Sequence, residues 1–88
     1  MKNRGKCRTT YSYNNRGFAK FKLKKYDEAL IDCHKSKKLD PENSWVYYSL
    51  GLINYDLKET DIACDYFYKS KEMGMKKAEK EYFEKCKK

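Results

Sequence analysis

The residues of this sequence that could carry out chemistry are one histidine and four cysteines, namely His34, Cys7, Cys33, Cys64 and Cys86. The cysteines stand far apart with no paired spacing, a pattern that favours free thiols in a reducing compartment. Cys33 and His34 are neighbours, and neighbouring side chains on a helix point about 100° apart, so they are poorly placed to chelate one ion. The sequence therefore predicts no metal site and no cofactor.

His34 also lacks the partners that catalysis requires. No pair of carboxylates and no nucleophile motif accompanies it in the sequence, and general acid–base or covalent catalysis needs such groups within hydrogen-bonding reach. A solvated histidine on a helix explains the residue better. We therefore expect no enzymatic activity.

The positive charge of the chain lies mainly at its two ends. Lysine and arginine number 21 against 13 acidic residues, which gives a formal net charge of +8. Residues 1–9 carry +4 and residues 76–88 carry +3, whereas residues 10–75 are nearly neutral. Contact with nucleic acid through the terminal lysines is therefore a weaker alternative, although a basic and aromatic chain could support it.

Membrane insertion and secretion are not indicated by the hydropathy pattern. The sequence holds no apolar run near the length of a membrane span, and no hydrophobic stretch follows the basic start. We expect a cytoplasmic protein with no membrane partner.

The clearest single element is a helix that begins at Tyr26 and ends at Leu39. Small and apolar residues recur there at spacings of three and four, which places them on one face; they are Tyr26, Ala29, Leu30, Cys33 and Ser36. Acidic residues occupy the first turn and lysines the last, in accord with the helix dipole. Asp40 and Pro41 then end the helix.

This helix belongs to a repeat with a period of about 34 residues, which is the length of a known helix-turn-helix repeat. When the chain is compared with itself at that offset, nine positions are identical: Tyr13/Tyr47, Gly17/Gly51, Leu23/Leu57, Lys24/Lys58, Asp27/Asp61, Ala29/Ala63, Lys35/Lys69, Ser36/Ser70 and Lys37/Lys71. The pattern predicts two helix-turn-helix units, with helices over 10–23 and 26–39 and over 44–57 and 61–73. Ser44 and Thr60 are expected to cap the later helices, and Gly74 to end the last in a left-handed conformation. An amphipathic fifth helix is predicted over 75–86, and residues 1–9 are predicted to be a loose, basic leader.

The residues at this spacing resemble the tetratricopeptide repeat family. The first copy supplies Tyr13, Gly17, Ala29, Cys33, Ser36 and Pro41, and the second supplies Tyr47, Gly51, Ala63, Phe67 and Ser70, with Met75 in place of the proline. The small residues would let the two helices of each repeat approach closely. The resemblance implies an all-α, right-handed superhelix of two repeats, over 10–43 and 44–74, with a C-terminal capping helix in 75–88.

In this family the first helix of each repeat lines a concave face that binds a peptide or another protein. The resemblance assigns that face to Tyr11, Asn14, Asn15, Phe18, Phe21, Lys22, Trp45, Tyr48, Ser49, Leu52 and Tyr55. Aromatic rings are common anchors of interfaces, and carboxamides can both donate to and accept from a peptide backbone. The chain is thus expected to be a protein–protein interaction scaffold.

Several alternatives remain open at the level of the sequence. Packing between helices explains Phe18, Phe21, Leu52 and Tyr55 as well as a binding surface does, whereas exposure is expected for Tyr11, Trp45 and Tyr48. The run Asn15-Arg16-Gly17 resembles repeat modules that clamp a terminal carboxylate, but Trp45 and Ser49 stand where those modules place basic residues. Two repeats bury little surface, so the chain could also form a homodimer or be part of a longer array.

Overall fold

The computed structural model describes the backbone of residues 2–86 and the side chains of residues 12–86. This part of the chain forms five helices and no strand. In chain order they are α1 (Lys2–Lys22), α2 (Tyr26–Leu39), α3 (Ser44–Asp56), α4 (Thr60–Glu72) and α5 (Lys76–Lys85). The prediction of an all-α helical-repeat fold is confirmed.

The helices pack as two antiparallel pairs followed by a single helix. Helix α1 packs mainly on α2, α3 packs mainly on α4, and α5 packs on α4. Short turns join these partners, and a short connection forces neighbouring helices to lie side by side. The turn at 40–43, between α2 and α3, stacks the second pair on the first.

The three tight turns share one backbone design. Lys24 has a φ angle of 63°, Lys58 one of 70° and Gly74 one of 99°, so all three lie in the left-handed region. In each turn the following amide donates to the carbonyl five residues earlier, as in Lys25 to Lys20 at 2.8 Å. The prediction for Gly74 is confirmed, whereas the two lysines adopt this conformation without the freedom of a glycine.

Two glycines let the helices of each pair approach closely. A Cβ atom added at Gly17 would lie 2.8 Å from Cys33 Sγ, and one added at Gly51 would lie 2.6 Å from Phe67 Cε1. Both distances are much shorter than an ordinary van der Waals contact, which is about 3.5 Å or more between carbons. The glycines are therefore required by the packing of α1 on α2 and of α3 on α4.

The apolar core has two centres, one at each stacking interface. The first joins α2 to α3 and consists of Ala29, Cys33, Val46, Leu50 and Ile53. The second joins α3, α4 and α5 and consists of Tyr48, Ala63, Phe67 and Ala78, with Met75, Tyr82 and Cys86 packed at its margin. Helix α5 thus covers the second repeat as α3 covers the first.

The first helices of the two repeats differ on one face. In α3 this face carries Val46, Leu50 and Ile53, which are fully buried against the first repeat. The corresponding positions of α1, one repeat earlier, hold Ser12, Arg16 and Ala19, and all three are exposed. The two repeats share a fold and differ in what this face can pack against.

Apart from shifts of one residue at other helix ends, the start of α1 and the N-caps of α3 and α4 differ from the sequence predictions. Helix α1 begins at Lys2 and not at Thr10; the predicted loose leader is helical from Lys2 because its lysines and arginines are good helix formers and no proline interrupts them. The side chains of residues 1–11 lie outside the described part. Asn43, and not Ser44, caps α3 by accepting a hydrogen bond from the Trp45 amide at 3.0 Å, and Glu59 precedes α4 in place of Thr60.

Candidate functional site: a cleft between the first helices of the two repeats

Four of the predicted binding residues meet in a cleft between α1 and α3. Asn14, Asn15 and Phe18 of α1 face Trp45 of α3 and line a volume of about 190 Å³. Asn15 is exposed, Phe18 is half-buried, and the indole of Trp45 retains 39% of its exposure. The cleft therefore exposes the carboxamide of Asn15 and at least part of the Phe18 and Trp45 rings to solvent.

Lysines surround the aromatic rings of this surface. Lys22 Nζ lies 5.4 Å from the centroid of the Phe18 ring, and Lys77 Nζ lies 5.3 Å from that of Trp45. Farther along the surface, Lys85 Nζ lies 5.1 Å from the centroid of Tyr55. These separations suit cation–π attraction, and the sequence has no acidic residue before Asp27. We call Lys22, Lys77 and Lys85 the lysine rim.

The rim was only partly predictable from the sequence. Lys22 was expected on the concave face, whereas Lys77 and Lys85 lie on α5, which was predicted only as an amphipathic helix. Their approach to Trp45 and Tyr55 depends on how α5 stacks on α3 and α4. The second repeat ends before α5, so the repeat pattern could not predict which residues α5 contacts.

Asn14 and Tyr48 are more buried than we expected. Only 3% of Asn14 is exposed, and its Oδ1 accepts a long hydrogen bond from the Cys33 thiol, at 4.0 Å. Tyr48 is 9% exposed, packs on the Phe67 ring at 6.3 Å, and meets the edge of Trp45 at 5.5 Å. The expectation of an exposed Tyr48 is wrong because α4 and α5 close over it, and burial raises the pKa of its phenol.

Ser49 is the third predicted groove residue that the structure buries. It is 1% exposed, and its Oγ is the one buried side-chain oxygen or nitrogen among residues 12–86 without a hydrogen-bond partner. Ser49 therefore does not present its hydroxyl to solvent, contrary to the expectation from helix position alone. An unpaired buried hydroxyl costs about 1–3 kcal/mol.

The remaining predicted residues divide between packing and exposure. Phe21 packs at the margin of the first core, and Leu52 and Tyr55 pack at the margin of the second, so helix–helix packing is the better account of these three. Lys22 is exposed. The side chain of Tyr11 lies outside the described residues, and its role stays a prediction.

Arg16 is held by a buried carboxylate and is not directed into the cleft. Its Nε and its terminal nitrogen donate to the two oxygens of Asp32, each at 2.9 Å. Lys20 Nζ lies 3.3 Å from Asp32 and 3.2 Å from Glu28. The hydrogen bonds from Arg16 hold the pKa of Asp32 below its usual range although burial opposes them. Arg16 is thus engaged within the first repeat.

The neighbouring residues Cys33 and His34 of α2 differ in burial, since Cys33 is fully buried and His34 is exposed. Burial raises the pKa of the Cys33 thiol to about 12, so it remains protonated at neutral pH and packs as an apolar group. Partial desolvation of the imidazole, and then the positive charge of Lys37, lower the pKa of His34. Within the described side chains, no three of the residues that commonly bind metals cluster together.

Across residues 2–86, none of the helices combines the length and the apolar character that crossing a bilayer demands.

Two cysteines are joined, contrary to the sequence prediction. Cys64 of α4 and Cys86, directly after α5, form a disulfide whose partners are 22 residues apart. The expectation of unpaired thiols is wrong for this pair, because the packing of α5 on α4 brings together residues whose spacing matches no motif. Cys33 is a free, buried thiol.

Stacked helix-turn-helix pairs with an open cleft between their first helices define a helical-repeat protein. The family model described as tetratricopeptide repeat matches residues 10–43. The chain is also 33% identical over 64 residues to human tetratricopeptide repeat protein 12, a match that covers 73% of this chain and 9% of that relative. The chain belongs to the tetratricopeptide repeat family. No solved structure matches it significantly.

Proposed function

We propose that this protein is a non-catalytic binding module that holds an extended segment of another protein in the cleft between α1 and α3. Tetratricopeptide repeats are generally protein–protein interaction modules. The observation that carries the proposal is the exposed indole of Trp45 facing the exposed amide of Asn15 across an open cleft. A ring can supply contact area, and an amide can fix the register of a peptide backbone.

The size of the cleft favours a peptide over a small-molecule ligand. Its volume of about 190 Å³ is below the range from about 300 Å³ that is typical of small-molecule sites. A cleft of this size takes one or two side chains of a bound segment. The segment would continue along the surface beside Lys22.

The lysine rim indicates the charge of that segment. Its three ammonium groups lie close to the centres of rings on this surface, at 5.4, 5.3 and 5.1 Å, and that of Lys85 also forms an ion pair with Glu81 of α5. A bound segment with one apolar anchor and acidic residues beside it would place its anchor on the rings and its carboxylates near the lysines. Complementary charge raises the association rate and discriminates against basic segments.

The test is calorimetric titration with two synthetic peptides of equal length. One carries a phenylalanine flanked by glutamates, and the other has lysines in place of the glutamates. Trp45→Ala should weaken binding of the acidic peptide by about thirtyfold, which corresponds to about 2 kcal/mol at an aromatic hot spot. Asn15→Ala should weaken it by less, and Lys38→Ala, at an exposed position of α2, serves as the matched control. Tyr48→Ala is unsuitable because it would remove a core side chain.

Equal binding of the two peptides, or equal loss with Trp45→Ala and Lys38→Ala, would contradict the proposal. Each variant must first be shown to unfold cooperatively. Affinity for the acidic peptide should also fall as salt rises, because the lysines of the rim are near solvent.

Self-association is a second candidate, favoured by an apolar patch away from the cleft. Tyr68 of α4 is 49% exposed and Phe83 of α5 is 50% exposed. Tyr82 lies between them, 5.6 Å from the Tyr68 ring and 6.0 Å from the Phe83 ring. Light scattering over a wide range of protein concentration would show a dimer, and Phe83→Ser should abolish it.

A further inference from the structure

The disulfide between Cys64 and Cys86 occupies a position where the first repeat relies on packing. Cys64 takes the place in the second repeat that Leu30 holds in the first, and Leu30 packs against the core that joins α2 to α3. In the second repeat a covalent bond at this place joins α4 to the end of α5. At this place the next helix is therefore joined by a covalent bond in one repeat and by an aliphatic contact in the other.

Helix α5 is held only weakly apart from this bond. Ala78 is its one buried residue within the described part of the chain, whereas α3 has eight. The ion pair between Lys85 and Glu81, at 2.6 Å, is internal to α5 and does not attach it to the body. A helix of ten residues is marginal by itself in water. The other attachments of α5 are the half-buried Tyr82, which meets the Tyr68 ring at 5.6 Å, and the contacts of Lys77 and Lys85 with the rings of Trp45 and Tyr55.

The same helix carries two of the three lysines of the rim. Lys77 reaches the ring of Trp45 from the first turn of α5, and Lys85 reaches Tyr55 from the last. Release of α5 would remove both ammonium groups from the concave surface. The state of the disulfide is thus coupled to the charge beside the cleft.

We propose that Cys64–Cys86 is a reversible thiol–disulfide site that holds α5, and with it the lysine rim, against the body of the protein. Both residues are only half-buried, unlike the fully buried Cys33, which favours attack by a small dithiol over attack by a bulky one. The effect on the cleft rests on the proposed function; the release of α5 does not.

The reaction is thiol–disulfide exchange with a dithiol. A thiolate of the reductant attacks one sulfur, the Cys64–Cys86 bond breaks, and the other sulfur leaves as a thiolate that takes up a proton. The second thiol of the reductant then displaces the first cysteine from the mixed disulfide. Two electrons and two protons pass to the protein, and the reductant ends as a disulfide. Glutathione disulfide reverses the process.

The first measurement is amide hydrogen exchange on the full chain, oxidised with glutathione disulfide or reduced with dithiothreitol. Thiol alkylation and mass spectrometry report the state of each cysteine. Amides of residues 76–86 should exchange up to about a hundredfold faster after reduction, because a closed loop of this size strongly restricts the opened state. Amides of α2 should change little, and reoxidation should restore protection.

A matched variant separates the bond from other effects of the reductant. Cys64→Leu/Cys86→Ala replaces the bond by the kind of packing that Leu30 provides, so its exchange should not respond to dithiothreitol. Equal protection of residues 76–86 in both redox states of the natural chain would overturn the proposal. Failure of the two thiols to pair in glutathione disulfide would overturn it as well.

Titration with the acidic peptide then tests the link to the cleft. Reduction should weaken binding about as much as Lys77→Ala/Lys85→Ala does in the oxidised chain, and reduction of that variant should have little further effect. Release of α5 without any peptide binding in either state would refute the proposed function and leave the thiol–disulfide site standing. If reduction releases α5 but leaves the affinity for the acidic peptide unchanged, the link between the disulfide and the cleft is refuted.

Discussion

The contact between Gly51 and Phe67 allows a prediction in which the sign of a mutational effect reverses. In an ordinary helix, Gly→Ala stabilises by about 1 kcal/mol. Here the added methyl group would lie 2.6 Å from Cε1 of a ring that is fully buried, about 1 Å inside normal contact. Overpacking of this kind costs about 1–3 kcal/mol. We expect Gly51→Ala to destabilise the protein by about 1 kcal/mol.

The reversal appears when the ring is removed. Phe67→Ala alone should cost about 3–5 kcal/mol. In that background Gly51→Ala meets no ring and should stabilise by about 1 kcal/mol, so the coupling between the two sites is about 2 kcal/mol. Urea unfolding followed by far-ultraviolet circular dichroism at about 15 °C, where stability is close to its maximum, measures the natural chain, the two single variants and the double variant.

The first repeat supplies an internal comparison. At Gly17 an added methyl group would meet Cys33 Sγ at 2.8 Å and the backbone oxygen of Ala29 at 3.1 Å. Cys33→Ala removes the first obstacle and leaves the second, so the relief should be partial. If Gly51→Ala has the same sign with and without Phe67, close packing is not what requires this glycine.

Three further substitutions test other features of the fold. Ala29→Leu should lower stability by about 1–3 kcal/mol, because Ala29 is fully buried in the first core; an unchanged melting midpoint would contradict this. Lys58→Gly should raise stability by up to about 1 kcal/mol, because it removes the strain of about 1–2 kcal/mol that a residue with a Cβ has in the left-handed region, while the greater unfolded-state entropy of glycine offsets part of the gain. Lys38→Gly within α2 should instead lower stability. Arg16 lowers the pKa of Asp32 in the folded protein, so the ionised carboxylate stabilises the fold above its unfolded pKa of about 4, and this stabilisation is lost as the pH falls through the folded pKa. Asp32→Asn should therefore flatten the acid limb of a plot of stability against pH. An unchanged acid limb would refute the assignment.

The repeat architecture was accessible from the sequence because local signals agree with one another. Helix α2 has the bounds that were predicted from the spacing of Ala29 and Cys33, the lysines of its last turn, and Pro41 beyond it. Gly74 ended α4 as expected because a left-handed turn favours glycine at that place. Periodicity and turn residues act within a few positions, so a single chain displays them.

The candidate site was harder to predict from the sequence because it depends on how the helices stack. The position of Tyr48 on α3 suggested exposure, and only the placement of α4 and α5 buries it. The disulfide and the Lys77 contact arise from the same stacking. Asn15 and Trp45 were expected in the cleft and line it, and both remain exposed after the later helices have packed.

The polar face of α1 makes the two repeats unequal as building blocks. A third repeat copied from α3 and α4 would offer Val46, Leu50 and Ile53 to the helix it stacks on, as α3 does to α2. A third repeat copied from α1 and α2 would instead bring the Arg16 guanidinium and the Asp32 carboxylate to that contact, where desolvating the charges costs more than an apolar pair. An engineer who wished to lengthen this molecule should therefore duplicate residues 44–74 and leave 10–43 at the front.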